Sequence, residues 1–115
     1  MAIPQPLLDE TLARIDALLQ GRRSADTDQV RLSVTVDGNA ITIADERAPW
    51  RDPDDDWTSV PVARLRWTAT RQAWSLQEPT LEGGWTRYRG DRGPTASIEP
   101  QLAELDDDPT GIFWG

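Results

Sequence analysis

Apolar and polar positions alternate most regularly in the first half of the chain. The alternating apolar residues are Val30, Leu32, Val34 and Val36. Period two is the pattern of a strand with one buried face. The turn-forming residues 38–39 follow, and a two-residue turn there places Val34 opposite Ile43. The pattern therefore predicts a hairpin of two strands, over about 29–37 and 40–47.

The same alternation returns after a segment rich in proline and aspartate, residues 48–57, where regular structure is disfavoured. It predicts three further strands, over about 60–68, 73–78 and 85–89. In the first of these, we expect Val62, Arg64 and Arg66 on one face, with Leu65 on the other.

A helical period marks the two ends of the chain. The first helix is predicted over about 6–20, where apolar residues recur at helical spacing: Leu8, Leu12, Ile15 and Leu19. The second is predicted over about 98–107, with Ser97 as its N-cap. The tail 109–115 contains three consecutive large apolar residues, which we expect to dock on the core.

These elements predict one domain, 1–115, of the α+β class. Short connections between strands favour antiparallel neighbours. We therefore expect an antiparallel five-stranded meander sheet, with an N-terminal and a C-terminal helix packed on one face.

The amino-acid composition limits the kinds of catalysis that the side chains can perform. The chain of 115 residues has no cysteine, no histidine and, since its twelve basic residues are all arginine, no lysine. Thiolate, imidazole and Schiff-base chemistry are thereby excluded. No catalytic residue, cofactor-binding residue or metal ligand is predicted. Asp52, Asp54 and Asp56 have the spacing that opens a calcium loop, but Trp57 and Ala63 stand where that loop needs glycine and glutamate.

The net charge limits the classes of partner that the chain is expected to bind. The net charge of −8 opposes binding to nucleic acid and to anionic membranes. No apolar run is long enough to cross a bilayer. The N-terminal segment has no basic leader with a cleavage site, so a cytoplasmic location is expected.

The charge is also unevenly distributed. Residues 59–92 carry six arginines and three acidic residues, a local charge of +3 in an acidic chain. A sheet face with these arginines and neighbouring tryptophans would form a ligand or partner surface, for which the candidates are Trp50, Arg51, Trp57, Arg64, Arg66, Trp85 and Arg87. The competing interpretation is structural: these arginines pair with the acidic helices and lie over tryptophan rings.

Five short segments occur along the chain in a characteristic order. They are APWR at 48–51, WTS at 57–59, PVARLR at 61–66, WSL at 74–76 and DDPTGIFWG at 107–115. Together they resemble the small bacterial proteins of the family called domain of unknown function 3024, over roughly residues 28–115. That family has no assigned activity, so the resemblance implies a fold family and no site. Thr86 stands where the family pattern leads us to expect histidine.

These observations favour a non-catalytic domain that binds another macromolecule, either a protein partner or a second copy of itself. Six tryptophans in so small a chain are hard to bury completely, and exposed tryptophan is typical of interfaces. Two alternatives stay open. One is a binder of an anionic small ligand or single-stranded nucleic acid through the arginine and tryptophan face; the other is a carboxylate-based enzyme.

Overall fold

Five strands follow one another as antiparallel neighbours in a single sheet. The computed structural model describes residues 2–22, 30–49, 51–52 and 54–115. In chain order the elements are α1 (Gln5–Gln20), β1 (Val30–Asp37), β2 (Ala40–Arg47), β3 (Thr58–Thr68), β4 (Ala73–Pro79), β5 (Trp85–Arg87) and α2 (Glu99–Asp107). The predicted fold class, an α+β meander with one helix near each end of the chain, is confirmed. No helix in the described ranges has the length and apolar character needed to cross a membrane.

The hairpin of β1 and β2 has the register that the alternation predicts. Val34 lies opposite Ile43, and the turn contains Gly38 in the left-handed region, with φ of 59°. Asn39, the other turn residue, is anchored to β3: its carbonyl oxygen accepts from the Trp67 N–H at 2.8 Å, and its side-chain amide donates to the Trp67 carbonyl at 3.0 Å. The turn is therefore part of the sheet's hydrogen bonding as well as a connection.

The core lies on one face of the sheet, called here the inner face. A row of fully buried side chains crosses it from β2 to β4: Ile41, Leu65 and Leu76. Ile15 and Leu19 of α1 and Leu102 and Leu105 of α2 belong to the same buried cluster. The two helices thus cover the same face, because each has one apolar stripe and the sheet offers one apolar side.

One strand residue lies on a different side from that predicted. Val62 was expected beside Arg64, away from the core, but it is buried within the core cluster. The register shifts between Ile43 and Ala44 of β2, whose partners on β3 are Ala63 and Pro61. Val62 is the extra residue of this bulge, and a bulge turns its side chain away from simple alternation.

Two strands also have bounds that differ from the prediction. β3 begins at Thr58 and not at Val60, because β2 continues to Arg47 and supplies pairing partners for the added residues. β5 ends at Arg87 and not at Arg89. The Arg89 N–H donates to the Glu78 carboxylate at 2.7 Å, so a side chain replaces the next backbone acceptor.

α2 begins at Glu99, one residue later than predicted. The hydroxyl of Ser97 nevertheless accepts from the Glu99 N–H at 3.2 Å. A first-turn donor of the helix, which has no partner within the helix, is therefore satisfied.

Asp108, the C-cap residue of α2, holds the C-terminal tail. Asp108 has a left-handed backbone, with φ of 46°, and its carboxylate accepts from the N–H groups of Phe113 at 3.2 Å and Trp114 at 2.8 Å. The Trp114 indole N–H donates to the Leu105 carbonyl at 2.9 Å. The tail is thereby turned back onto α2, and Phe113 is buried.

Tyr88 connects the end of β5, α2 and the tail. Its ring centroid lies 4.9 Å from that of Phe113, and its hydroxyl donates to the Glu104 carboxylate at 3.0 Å. Burial raises the pKa of Tyr88. Gly90 lies so close that an added Cβ would be 2.7 Å from the Tyr88 ring, so this position requires glycine.

Deleting residues 110–115 should strongly destabilise the fold. The deletion removes buried Phe113 and the partners of the Asp108 carboxylate, and loss of a buried phenylalanine alone typically costs about 3–5 kcal/mol. Thermal melting measured by circular dichroism checks this. Leu81→Ala is the matched control, since Leu81 is fully exposed and should leave the melting temperature unchanged. A truncated protein that melts within a few degrees of the full chain would contradict the docked-tail interpretation.

Glu78→Gln should destabilise the protein at neutral pH and have less effect in acid. The Arg89 guanidinium hydrogen-bonds the buried Glu78 carboxylate and lowers its pKa below the ordinary 4.5. A lowered folded-state pKa means that the ionised group stabilises the fold above the unfolded pKa, and that this stability is lost as pH falls through the folded-state pKa.

Urea unfolding at pH 7 should show a loss of about 1–3 kcal/mol for Glu78→Gln, and the loss should shrink below about pH 4. Glu82→Gln, at an exposed position, supplies the control with the same chemical change. A loss for Glu78→Gln that stays constant from pH 7 to pH 3 would show that the charge of Glu78 does not stabilise the fold.

Candidate binding surface on the outer sheet face

The face of the sheet opposite the helices, called here the outer face, carries most of the predicted arginines. Cross-strand pairing aligns Thr42, Arg64, Gln77 and Arg87 in one row from β2 to β5. Arg66 and Ser75 pair in the neighbouring row. Arg64, Arg66 and Arg87, three of the residues predicted for a binding surface, therefore share one face because they alternate with core residues.

A hollow of about 380 Å³ opens on this face. Its lining residues are Arg66, Thr68, Arg71, Ser75, Leu76, Gln77, Arg87, Asp91 and Pro94. Three guanidinium groups and one carboxylate thus border the same space. The size is within the range of small-ligand sites.

The carboxylate of this hollow is already engaged. Asp91 accepts from Arg87 Nε at 2.5 Å and from the Gly93 N–H at 2.9 Å, and its side chain is 6% exposed. Arg66 and Arg71 are exposed, and their guanidinium groups make no hydrogen bond or ion pair within the described ranges. Two positive charges of the hollow are therefore uncompensated.

Trp85 lies beside this hollow but not in its lining. The guanidinium carbon of Arg64 is 5.0 Å from the Trp85 ring centroid, and Arg64 Nε donates to Thr42 Oγ1 at 3.5 Å. This is a cation–π contact, and it leaves the ring half-buried. Trp85 therefore supports the position of Arg64 and has one ring face covered.

Trp57, another predicted member, belongs to a separate group. Arg31 of β1 lies over its ring at 4.0 Å and also pairs with Glu46 at 3.4 Å. On β2, the neighbours of Arg31 and Arg64 are Glu46 and Thr42. Those two positions are roughly 13 Å apart along the strand, so the Trp57 group does not join the hollow.

The two remaining predicted members precede β3 in the sequence. Arg51 is exposed and has an interaction partner. Trp50 lies outside the described residues. The structure therefore brings together Arg64, Arg66, Trp85 and Arg87, separates Trp57 from them, and assigns no shared contact to Arg51.

Of the structural interpretation of the sheet arginines, the contact with a tryptophan ring is found for Arg64, whereas no sheet arginine in the described ranges pairs with a helix carboxylate. Arg87 pairs with Asp91, and Arg89 pairs with Glu78. The helix acids pair instead with helix arginines or with Arg22 just after α1: Arg14 contacts Glu99, and Arg22 contacts Asp106 at 3.2 Å. The helices cover the inner face, so their carboxylates lie on the other side of the sheet from the hollow.

Arg71 was not among the predicted surface residues. It lies in the four-residue connection between β3 and β4, which bends at Gln72 with φ of 48°. Alternation identifies the faces of strands but not the direction of a turn residue. The available signal was that Arg71 belongs to the local positive excess of residues 59–92.

The arrangement suits anion binding better than proton transfer. The side-chain carboxylates of Glu78 and Asp91 are both buried and both engaged by arginine: Arg89 donates to both oxygens of Glu78, and Arg87 donates to Asp91. No group of three or more potential metal-ligating side chains is found in these ranges either. Guanidinium groups offer charge-assisted, forked hydrogen bonds, which match carboxylate and phosphate oxygens.

Comparison with known proteins agrees with the resemblance carried by the segments at 48–51 and 107–115. No curated protein matches this chain, and no solved structure matches it. The family match covers residues 3–115, nearly the whole chain. The chain therefore belongs to the family described as Domain of unknown function (DUF3024).

Proposed function

We propose that this chain is a non-catalytic, cytoplasmic binding domain whose outer sheet face recognises an acidic segment of another protein. The contact surface consists of Arg66, Arg71 and Arg87 around the hollow, with Arg64 and Trp85 at its side. The partner's carboxylates would replace water around the uncompensated guanidinium groups.

One observation carries this proposal: Arg66 and Arg71 border the same hollow and have no anionic partner in the described ranges. A structural role would pair these arginines with carboxylates, as it does for Arg89 and Glu78. Exposed arginine beside an open hollow is typical of protein interfaces, where arginine is enriched.

Charge separation supports a partner of limited size. The net charge of −8 repels anions at long range, but screening limits that repulsion to about 8 Å at physiological salt. A short acidic segment can meet the arginines without meeting the helix carboxylates on the inner side. A long polyanion would extend beyond the hollow and encounter the acidic parts of the surface.

Single-stranded nucleic acid is the alternative ligand, because tryptophan and arginine on one face are typical of surfaces that bind it. Trp85 is half-buried, and the Arg64 guanidinium lies over its ring at 5.0 Å. A base stacking on the ring face that Arg64 covers would have to displace that contact. Trp57 is covered in the same way by Arg31. The described tryptophans of this face therefore support arginine placement more than base stacking.

Binding of a fluorescein-labelled peptide of about ten glutamates, measured by fluorescence anisotropy at about 50 mM salt, tests the proposal. Wild-type protein should bind it, and Arg66→Ala combined with Arg71→Ala should weaken binding by about tenfold or more, because charge-assisted hydrogen bonds are lost. Absence of binding by the wild-type protein would overturn the proposal.

The matched control is Arg14→Ala combined with Arg47→Ala. It removes the same charge, and neither residue lines the hollow. Equal loss of binding in this control would show that net charge, and not the hollow, governs the interaction. Tighter binding of a single-stranded RNA of about the same length, lost in the Arg66 and Arg71 variant, would replace the acidic-protein proposal by the nucleic-acid alternative.

A further inference from the structure

β1 is an edge strand with an exposed apolar row. The sheet order places β1 at one end, paired with β2 on one side, and no strand of the described ranges pairs with its other side. Val34 is 38% exposed and Val36 is 40% exposed, although both point to the inner face with buried Ile41 and Ile43 as cross-strand neighbours. The apolar face of the sheet thus continues past the part that the helices cover.

The open edge has regular hydrogen-bonding capacity. In a hairpin closed by a two-residue turn, the pair next to the turn, Asp37 and Ala40, exchanges hydrogen bonds, and such pairs then alternate along the ladder. The backbone N–H and C=O groups of Leu32, Val34 and Val36 therefore point away from β2. An edge with this much unpaired backbone is a template for another strand.

We propose that a second copy of this chain occupies the edge, with the two β1 strands pairing antiparallel about Val34. In that register, residue numbers opposite each other sum to 68. Val34 meets Val34 of the second copy, and Leu32 meets its Val36. These are the residues whose backbone groups point outward, so the pairing forms about six inter-chain hydrogen bonds.

The charges of β1 are self-complementary in this register. Arg31 lies opposite Asp37 of the second copy, and Asp37 lies opposite its Arg31. Both pairs fall at positions without backbone hydrogen bonds, where side chains approach most closely. Arg31 already contacts Glu46, but a guanidinium has five N–H donors and can serve both carboxylates.

Other registers lack this combination. A shift of one residue places the valines opposite polar residues of the other face. A shift of two residues keeps the faces but centres the pairing on Ser33 or Thr35, and it separates Arg31 from Asp37. The partner that fits both the apolar row and the charges is therefore β1 itself.

Sedimentation velocity of the full chain from about 1 to 500 μM tests the oligomeric state. Wild-type protein should form a dimer, and Val34→Arg should be monomeric because it places like charges directly opposite each other. Val60→Arg is the matched control: Val60 is also an exposed strand valine, 48% exposed, but lies on β3. A wild-type monomer across the whole range, or a dimer that Val34→Arg leaves intact, would overturn the proposal.

Charge exchange tests the register itself. Arg31→Asp alone places two aspartates opposite each other, and Asp37→Arg alone places two arginines opposite each other, so each variant should dimerise at least about tenfold more weakly than wild type. Mixing the two variants should restore a heterodimer, since each aspartate then faces an arginine. Circular dichroism melting confirms that each variant is folded. Failure of the mixture to associate while wild type dimerises would exclude the Val34-centred register.

Discussion

The rest of the structure depends on the fact that the chain has enough helix to cover only one face of its sheet. Two helices, of sixteen and nine residues, and a short tail are available to bury a five-stranded sheet, and they lie on one face. The other face must therefore be compatible with water. Arginine meets this need because its stem covers apolar surface while its guanidinium stays solvated. The cation–π contacts of Arg64 with Trp85 and Arg31 with Trp57 follow from it: large rings are retained on an uncovered face and partly shielded by charged groups.

Local patterns predicted the parts of the fold that local interactions decide. The β1–β2 register follows from alternation and a two-residue turn, since a slip of one residue would expose Ile41 and Ile43. The bulge at Val62 was not predictable in this way, because it depends on how β2 and β3 match each other. The end of β5 likewise depends on Glu78, eleven residues before the N–H of Arg89 that it accepts. Such long-range pairings leave no periodic signal in the sequence.

The candidate binding surface was predictable only where strand alternation places its residues. Arg64, Arg66 and Arg87 share a face because strand alternation places them there, whereas Arg71 joins them through the direction of a turn. Trp57 was grouped with them by composition, but lateral distance across a sheet cannot be read from residue type. The uncompensated state of Arg66 and Arg71 also required the structure, because the sequence contains many acids that could have paired with them.

The two proposed surfaces reinforce each other geometrically. Two strands that pair antiparallel in one continuous sheet are related by a two-fold axis perpendicular to that sheet, so both outer faces point the same way. The hollow lies over β3 to β5, away from β1, and strands are spaced by about 4.8 Å. A β1-linked dimer would therefore present two arginine hollows on one side, on the order of 30–40 Å apart.

A partner with two acidic segments at that separation would bind both, and the second contact would form at the high effective concentration that linkage provides. Weak individual contacts on an acidic protein could in this way give selective binding, because a single acidic segment would gain nothing from the second hollow.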